Sequence, residues 1–282
     1  MAQAMMMGAP LRDEIFAGNR AVGRIAFTVA AAPGGSRRGR VHEAGSLRVR
    51  FPNGQSQAAL DAVIVNSAGG MTGGDRFTID IQVGAGATLT VTTAAAEKIY
   101  RSLGLDTEIA IKLDVAPGGT LKWLPQETIV FDGVRLRRAI DVDLARDTNL
   151  LLAEACVFGR SAMGEVVTDG SIFDRWRVRA GGAFVLAETL RLDDKIAQRL
   201  AQRATAAESV AVASVIKIPG SDDDAAAVRT LQEQFVGEVG VSAWNGLAMA
   251  RLVAADGAAL RRDLVAVLTA LGGAPLPRLM LN

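Results

Sequence analysis

The chain of 282 residues carries 31 lysines and arginines, 30 aspartates and glutamates, one histidine and one cysteine. The single cysteine, Cys156, cannot form an intramolecular disulfide, and together with one histidine it cannot supply the ligand set of a zinc site. A formal charge of +1 argues against a nucleic-acid-binding protein, which normally carries a basic excess.

Residues 1–19 lack the basic start and the long apolar run of a signal peptide, and we expect them to form a flexible N-terminal leader. Apolar runs elsewhere stay far below the roughly 20 residues that a membrane span needs. We therefore expect a cytoplasmic protein with no membrane partner and no nucleic-acid partner. No internal repeat or low-complexity linker divides the chain, so residues 20–282 are expected to form a single domain.

Alternation of apolar and polar residues predicts that most of the chain forms β-strands with one buried face. In the segment 76–83, Phe77, Ile79 and Ile81 alternate with polar residues, and the segment 107–115 repeats the pattern. Further strands are expected at 22–31, 45–51, 60–66, 87–93, 120–124, 127–131, 134–143, 148–158, 171–179, 182–190, 209–217 and 244–254.

Glycine marks the gaps between these strands. The segment 31–40 reads AAPGGSRRGR, and we expect it to be a flexible basic loop. Asp132-Gly133 joins two predicted strands and is the dipeptide that favours a two-residue β-hairpin turn.

Helical periodicity is strongest near the C-terminus. Ser221 is the predicted N-cap of a helix that reaches to Gly237, and a second helix is expected over 257–273. A weaker amphipathic segment spans 193–204. The sequence thus predicts a mainly β fold of many short antiparallel strands, in a sandwich or coiled β scaffold, with two C-terminal α-helices.

Single motifs do not define a reaction. The glycine-rich segment before Asp75 lacks the lysine of a phosphate-binding loop and favours a turn. Glu127 and Asp132 could serve as the acid and base of a glycosidase, but five residues of separation place them on opposite faces of one strand. His42 is expected on the surface, and Cys156 within an apolar strand is expected to be inert packing.

Five segments taken in order resemble one family, and the resemblance extends from about residue 20 to the C-terminus. They are GGMTGGD at 69–75, TTAAAEKIYRS at 92–102, LPQETIVFDG at 124–133, GRSAMGE at 159–165 and PRLM at 277–280. The chain is similar to the urease accessory proteins UreD, called UreH in some organisms. It departs from the family pattern at Ala94 or Ala95, where the family usually has glutamine, and near Met280, where it often has tryptophan or tyrosine.

The resemblance implies a chaperone of urease maturation and not an enzyme, with a mostly β fold and two C-terminal helices. It also implies binding to urease apoprotein and to the helical protein UreF. Through UreF, the chain would join the GTPase UreG in a larger hetero-oligomeric complex that delivers nickel. No tightly bound cofactor is implied.

The family scaffold is further thought to contain a water-filled passage for Ni²⁺. Imidazole and thiolate bind such an ion strongly, whereas carboxylates and water hold it loosely enough to pass it on. We therefore expect a transient Ni²⁺ passage without a stable site, and Glu127 and Glu165 are its strongest individual candidates. The full candidate set is Asp75, Asp80, Glu127, Asp132, Glu154 and Glu165. For each of these acids, the alternative is an exposed or salt-bridged carboxylate.

Two other classes of protein stay open. One is an enzyme on a β scaffold that acts on a small molecule or a carbohydrate. The other is a purely structural assembly protein, in which the same acids are only surface charge.

Overall fold

The computed structural model describes residues 19–52, 59–160, 163–272 and 275–281. The expected leader, apart from Asn19, lies outside the described residues. The described chain forms seventeen strands in two sheets. In chain order they are β1 (Val22–Ala32), β2 (Gly35–Gly45), β3 (Leu47–Arg50), β4 (Leu60–Asn66), β5 (Arg76–Val83), β6 (Thr88–Thr93), β7 (Glu97–Ile99), β8 (Thr107–Val115), β9 (Thr120–Trp123), β10 (Thr128–Val130), β11 (Val134–Leu144), β12 (Asn149–Phe158), β13 (Gly170–Ala180), β14 (Ala183–Asp193), β15 (Ala211–Ile218), β16 (Glu238–Trp244) and β17 (Leu247–Ala254).

Three α-helices accompany the strands in the described ranges: α1 (Ile196–Leu200), α2 (Asp222–Arg229) and α3 (Gly257–Gly272). Within those ranges, none of the helices has the length and apolar character needed to cross a membrane. The mainly β fold and the two expected C-terminal helical segments, α2 and α3, are confirmed.

The chain passes back and forth between the two sheets as a coil. The seven-stranded sheet has the order β14-β13-β11-β8-β5-β1-β2. The ten-stranded sheet has the order β16-β17-β15-β12-β9-β6-β4-β3, and β10 pairs with both β12 and β7. This arrangement is the coiled β scaffold that the sequence predicted as one of two forms.

The direction of strand pairing differs from the expected antiparallel pattern. The inner neighbours β1, β5, β8, β11 and β13 are all parallel, as are β4, β6, β9 and β12. Antiparallel pairs lie toward the ends of the sheets, for example β1 with β2 and β13 with β14. The physical reason is the coil, because each pass returns to a sheet in the same direction after crossing the opposite sheet.

Two hydrophobic cores join three layers, which are the seven-stranded sheet, the ten-stranded sheet and the layer that contains α3. Ile25, Leu113 and Leu152 belong to the core between the two sheets, whereas Leu264 and Leu268 of α3 belong to a second core on the other face of the ten-stranded sheet. Strand β12 contributes alternate residues to both cores, so almost all of it is buried. This double coverage explains why its sequence is nearly continuous in apolar residues.

Two turn predictions were wrong. Asp132 and Gly133 do not close a hairpin, because β10 before them lies in the ten-stranded sheet and β11 after them lies in the seven-stranded sheet. The turn at these residues instead carries the chain across from one sheet to the other. The segment 31–40 is mostly part of the β1–β2 hairpin, in which Gly34 has a φ of 83°.

The first C-terminal helix is shorter than expected. Ser221 does cap α2, since its hydroxyl accepts the N–H of Asp224 while the Asp224 carboxylate accepts the N–H of Ser221. The helix ends at Arg229, well before Gly237. Downstream, the N–H groups of Val236 and Gly237 donate to the buried carboxylate of Asp263 on α3, at 2.9 and 2.7 Å, instead of to helical carbonyls.

We expect Asp263→Ala to lower the free energy of unfolding by about 1–3 kcal/mol, because it removes the buried carboxylate that accepts the N–H groups of Val236 and Gly237. Urea denaturation followed by circular dichroism measures the change. The matched control is Arg262→Ala, since Arg262 is the exposed neighbour on the same helix and should stay within about 0.5 kcal/mol of wild type. Equal effects of the two substitutions would contradict the capping role of Asp263.

Candidate functional site

A cluster of three charged side chains lies between the two sheets. Arg138 on β11 donates through Nη1 to Oε2 of Glu154 on β12, and through Nη2 to Oδ2 of Asp174 on β13 at 2.5 Å. Trp123 Nε1 donates to the other oxygen of Glu154 at 2.8 Å. All three charged side chains are at most 8% exposed. We call Arg138, Glu154 and Asp174 the Arg138 cluster.

Strand alternation and register bring the cluster together. Arg138 lies between Leu136 and Ile140 on the inward face of β11, and it is the direct register partner of Asp174 on β13. Glu154 lies on the inward face of β12, in phase with Cys156. The two sheets therefore each supply a carboxylate to one guanidinium.

An interruption in the ten-stranded sheet lies beside Glu154. Strand β12 pairs with β9 over residues 149–152 and with β10 over residues 156–158. Residues 124–127 separate β9 from β10, and Glu154 falls between the two ladders. On its other side Glu154 pairs with Ser214 of β15. The sheet thus admits a polar side chain where its regular pairing is broken on one side.

Burial sets the electrostatics of this region. Burial raises the pKa of Glu154 above its usual range, although Arg138 acts in the opposite direction. Burial alone would lower the pKa of Arg138, but the charges of Asp174 and Glu154 outweigh it and raise that pKa. Burial raises the pKa of Cys156 to about 12, so this thiol stays protonated near neutral pH.

Not every polar atom of the cluster has a partner. Among the described residues, Asp174 Oδ1 and Arg138 Nε are buried without a hydrogen-bond partner. With both carboxylates ionised, the cluster carries one cation and two anions. A buried carboxylate oxygen without a hydrogen-bond partner is uncommon in folded proteins and calls for an explanation.

A cavity of about 200 Å³ adjoins the Arg138 cluster. At its inner end it is lined by the cluster and by Cys156. Its outer end lies between β14 and β17, where Glu188 and Arg251 are among the lining residues. The cavity therefore extends from the buried charges to the edge of the seven-stranded sheet.

Of the six acids proposed for the passage, Glu154 is the one that lines this cavity. Asp75 is buried in a turn, where its two oxygens accept the N–H groups of Ala21 and Thr72, each at 2.7 Å. Asp80 lies on the outer face of the seven-stranded sheet, as the register partner of Lys112. The contacts of Asp75 are those of a structural carboxylate.

The remaining three acids lie near the surface of other parts of the coil. Glu127 accepts from Arg261 of α3 at 2.5 Å, and Glu165 accepts from Arg160 at 2.7 Å. Asp132 accepts from the backbone N–H of Thr168 at 2.7 Å, which helps to hold two adjacent turns together. Over the described ranges, no group of three or more His, Cys, Asp or Glu side chains is placed to hold a metal ion.

Arg138 and Asp174 were missed by the sequence analysis. Each occupies an inward position in a strand whose other inward residues are apolar, for example Ile172 and Trp176 around Asp174. A charge in the apolar phase of a strand is the signal that could have found them, because such a charge needs a buried partner.

The family-like segments also come together in space. Met71 donates its N–H to the carbonyl of Lys98 at 2.7 Å, and Phe131 donates to the carbonyl of Ile99 at 3.0 Å. Gly159 donates to the carbonyl of Val130 at 2.8 Å. Described residues of the segments 69–75, 92–102 and 124–133, together with Gly159, therefore lie next to one another at one side of the coil.

Comparison with known proteins identifies relatives over nearly the whole chain. A family model described as UreD urease accessory protein matches residues 21–280. "Urease accessory protein UreD" of Rhodopseudomonas palustris (strain HaA2) is 55% identical over 271 residues, which cover 95% of this chain and 96% of the relative. The protein of the same name from Bradyrhizobium diazoefficiens is 50% identical over 270 residues, covering 96% and 97%.

These matches define the class as urease accessory proteins, with a role in urease maturation. Within that class, the chain belongs to the UreD family. The resemblance found in the sequence motifs is thereby confirmed.

We expect Arg138→Met to lower the free energy of unfolding by about 3–5 kcal/mol near neutral pH, because it leaves buried carboxylates without their cation. The loss should grow as the pH rises from about 5 to about 8. Removal of Arg138 raises the pKa of Glu154 further in the folded state, and an acid whose pKa is raised on folding destabilises the folded state above its unfolded pKa. Urea denaturation of variant and wild type at both pH values measures the difference.

The control for this prediction adds Glu154→Gln to Arg138→Met. The amide keeps an acceptor for Trp123 but removes one buried charge, so the double variant should recover part of the lost stability. A double variant that is less stable than the single variant would contradict the electrostatic explanation.

Proposed function

We propose that this protein is a non-catalytic chaperone of urease maturation that binds urease apoprotein and supports the delivery of Ni²⁺ to it. In this proposal the chain joins UreF, and through UreF the GTPase UreG, in a larger complex. Membership of the UreD family supports the maturation role, as do the printed names of the relatives.

We further propose that the cavity between the sheets is the part of the protein through which Ni²⁺ passes. The single observation that carries this proposal is the pair of buried carboxylates, Glu154 and Asp174, at its inner end. Oxygen donors suit a transferred ion because they bind Ni²⁺ less tightly than imidazole or thiolate. The neighbouring Cys156 is kept protonated by burial and is therefore a weak ligand.

The contacts within the cluster support passage in preference to storage. Both oxygens of Glu154 already accept hydrogen bonds, one from Trp123 and one from Arg138. The fixed positive charge of Arg138 also opposes a second cation beside it. Asp174 retains one oxygen without a partner. An arriving ion would therefore interact mainly with Asp174 and water, and its residence would be short.

For Asp75, Asp80, Glu127, Asp132 and Glu165, a passage role stays a prediction. The hydrogen bonds or ion pairs of Asp75, Glu127, Asp132 and Glu165 supply structural roles in addition. Any route through these acids would have to run outside the cavity that holds Glu154.

We expect Asp174→Asn to reduce the nickel content of urease severalfold while leaving the complexes intact. The substitution removes a carboxylate from the cavity but leaves Arg138 paired with Glu154, so the fold should be retained. The experiment co-expresses the variant with the urease subunits, UreF and UreG, and measures both co-purification and nickel per urease by elemental analysis.

Asp141→Asn is the matched control, because Asp141 pairs with Arg175 on the same sheet but does not line the cavity. Glu127→Ala and Glu165→Ala form a separate arm. Normal nickel content with Asp174→Asn, together with a loss in either of these two variants, would overturn the cavity route. Failure of the wild-type chain to co-purify with urease or UreF would overturn the chaperone role itself.

A further inference from the structure

A polar row runs across the ten-stranded sheet from the buried cluster to the surface. Glu154 on β12 is the register partner of Ser214 on β15, and Ser214 is the register partner of Arg251 on β17. Neighbouring strands lie about 4.8 Å apart, so these side chains follow one another at regular steps. Burial decreases along the row: Glu154 is buried, Ser214 is half-buried and Arg251 is exposed.

All three residues line the same cavity. On the facing sheet, the corresponding outer position is taken by Glu188 of β14, the last strand of the seven-stranded sheet. Arg251 Nη2 donates to Glu188 Oε2 at 2.7 Å. This contact joins the free edge of one sheet to the other sheet across the outer end of the cavity.

The wall around this contact is firmly held. The segment that follows β14 contributes Leu200 and Thr205 to the cavity lining. Ile196, Leu200 and Ala206 of this segment are buried in the core between the sheets. This segment therefore forms a packed side of the opening, whereas the side chains of Glu188 and Arg251 lie at its more exposed end.

The ion pair has the properties of a closure that opens easily. The Arg251 side chain is 60% exposed and the Glu188 side chain is 29% exposed. Exposed pairs of this kind contribute little to stability, so breaking one is a frequent thermal event. When the pair separates, Arg251 can extend into solvent, and the Glu188 carboxylate is left at the outer end of the cavity.

We propose that the Glu188–Arg251 ion pair is a gate at the outer end of the cavity and that Ser214 forms the polar step between this gate and the Arg138 cluster. What passes through the gate rests on the proposed function, in which it is Ni²⁺. The gate itself is a property of the chain alone and is testable without metal, urease or any partner.

Cys156 provides the reporter for the test. It lines the inner end of the cavity, is 7% exposed and is the single cysteine of the chain. The charges that act on its pKa are those of Arg138, Asp174 and Glu154, so a change at Arg251 should alter access to the thiol without altering its ionisation. The full-length protein is treated with methyl methanethiosulfonate at one fixed pH, and modification of Cys156 is followed by mass spectrometry.

Arg251→Ala should increase the modification rate by about fivefold, the upper value that loss of an exposed ion pair allows. Glu188→Gln, a milder change, should act in the same direction. The exchanged pair, Glu188→Arg with Arg251→Glu, restores the attraction and should return the rate toward that of wild type. Circular dichroism and thermal unfolding of each variant check that the fold is retained.

Lys217→Ala is the matched control. Lys217 also lies in the ten-stranded sheet, on β15, but it pairs with Asp224 of α2 on the opposite face, at 2.5 Å. Its removal should leave the modification rate of Cys156 unchanged. A wild-type rate in Arg251→Ala, an equal increase in Lys217→Ala, or no recovery in the exchanged pair would each overturn the gate.

The gate and the proposed function fail in different ways. If Arg251→Ala speeds the labelling of Cys156 but urease acquires nickel normally with Asp174→Asn, the gate is supported and the nickel route is rejected. Unchanged labelling with impaired nickel loading in Asp174→Asn would reject the gate and retain the route.

Discussion

Arg138 holds a carboxylate from each sheet, and the interior of the coil depends on this contact. Glu154 comes from the ten-stranded sheet and Asp174 from the seven-stranded sheet. Ions removed from water in this way are tolerated only when their partners are present, so the three side chains act as one unit. The same unit interrupts the apolar packing between the sheets locally, and the cavity lies directly beside it.

The coil explains how such a unit can form from distant parts of the chain. Each pass contributes a strand to each sheet, and parallel pairing places equivalent positions of successive passes side by side. Arg138 and Asp174 are 36 residues apart in sequence but are neighbours in register. The family-like segments are aligned by the same geometry, which gives these motifs a shared place in the fold.

Period-two alternation was sufficient to predict most strands, because a half-buried strand imposes that pattern on its own residues. It could not predict pairing direction, since the alternation within β5 or β8 is the same beside a parallel or an antiparallel neighbour. Glu154 was named in advance as one of the six candidate acids of the passage that the family resemblance implies. Its partners could not be named, because the contact with Arg138 depends on the stacking of two sheets, which no local pattern encodes. Asp132 was misplaced for a similar reason: a dipeptide that suits a hairpin also suits a turn between sheets.

The interruption at residues 124–127 has a wider consequence for how this scaffold accommodates polar groups. Between the end of β9 and the start of β10, the ladder of strand pairing along β12 is interrupted. The protein keeps its two hydrophobic cores on either side of this interruption. Glu154, the adjoining cavity and the polar row that continues through Ser214 all lie next to it.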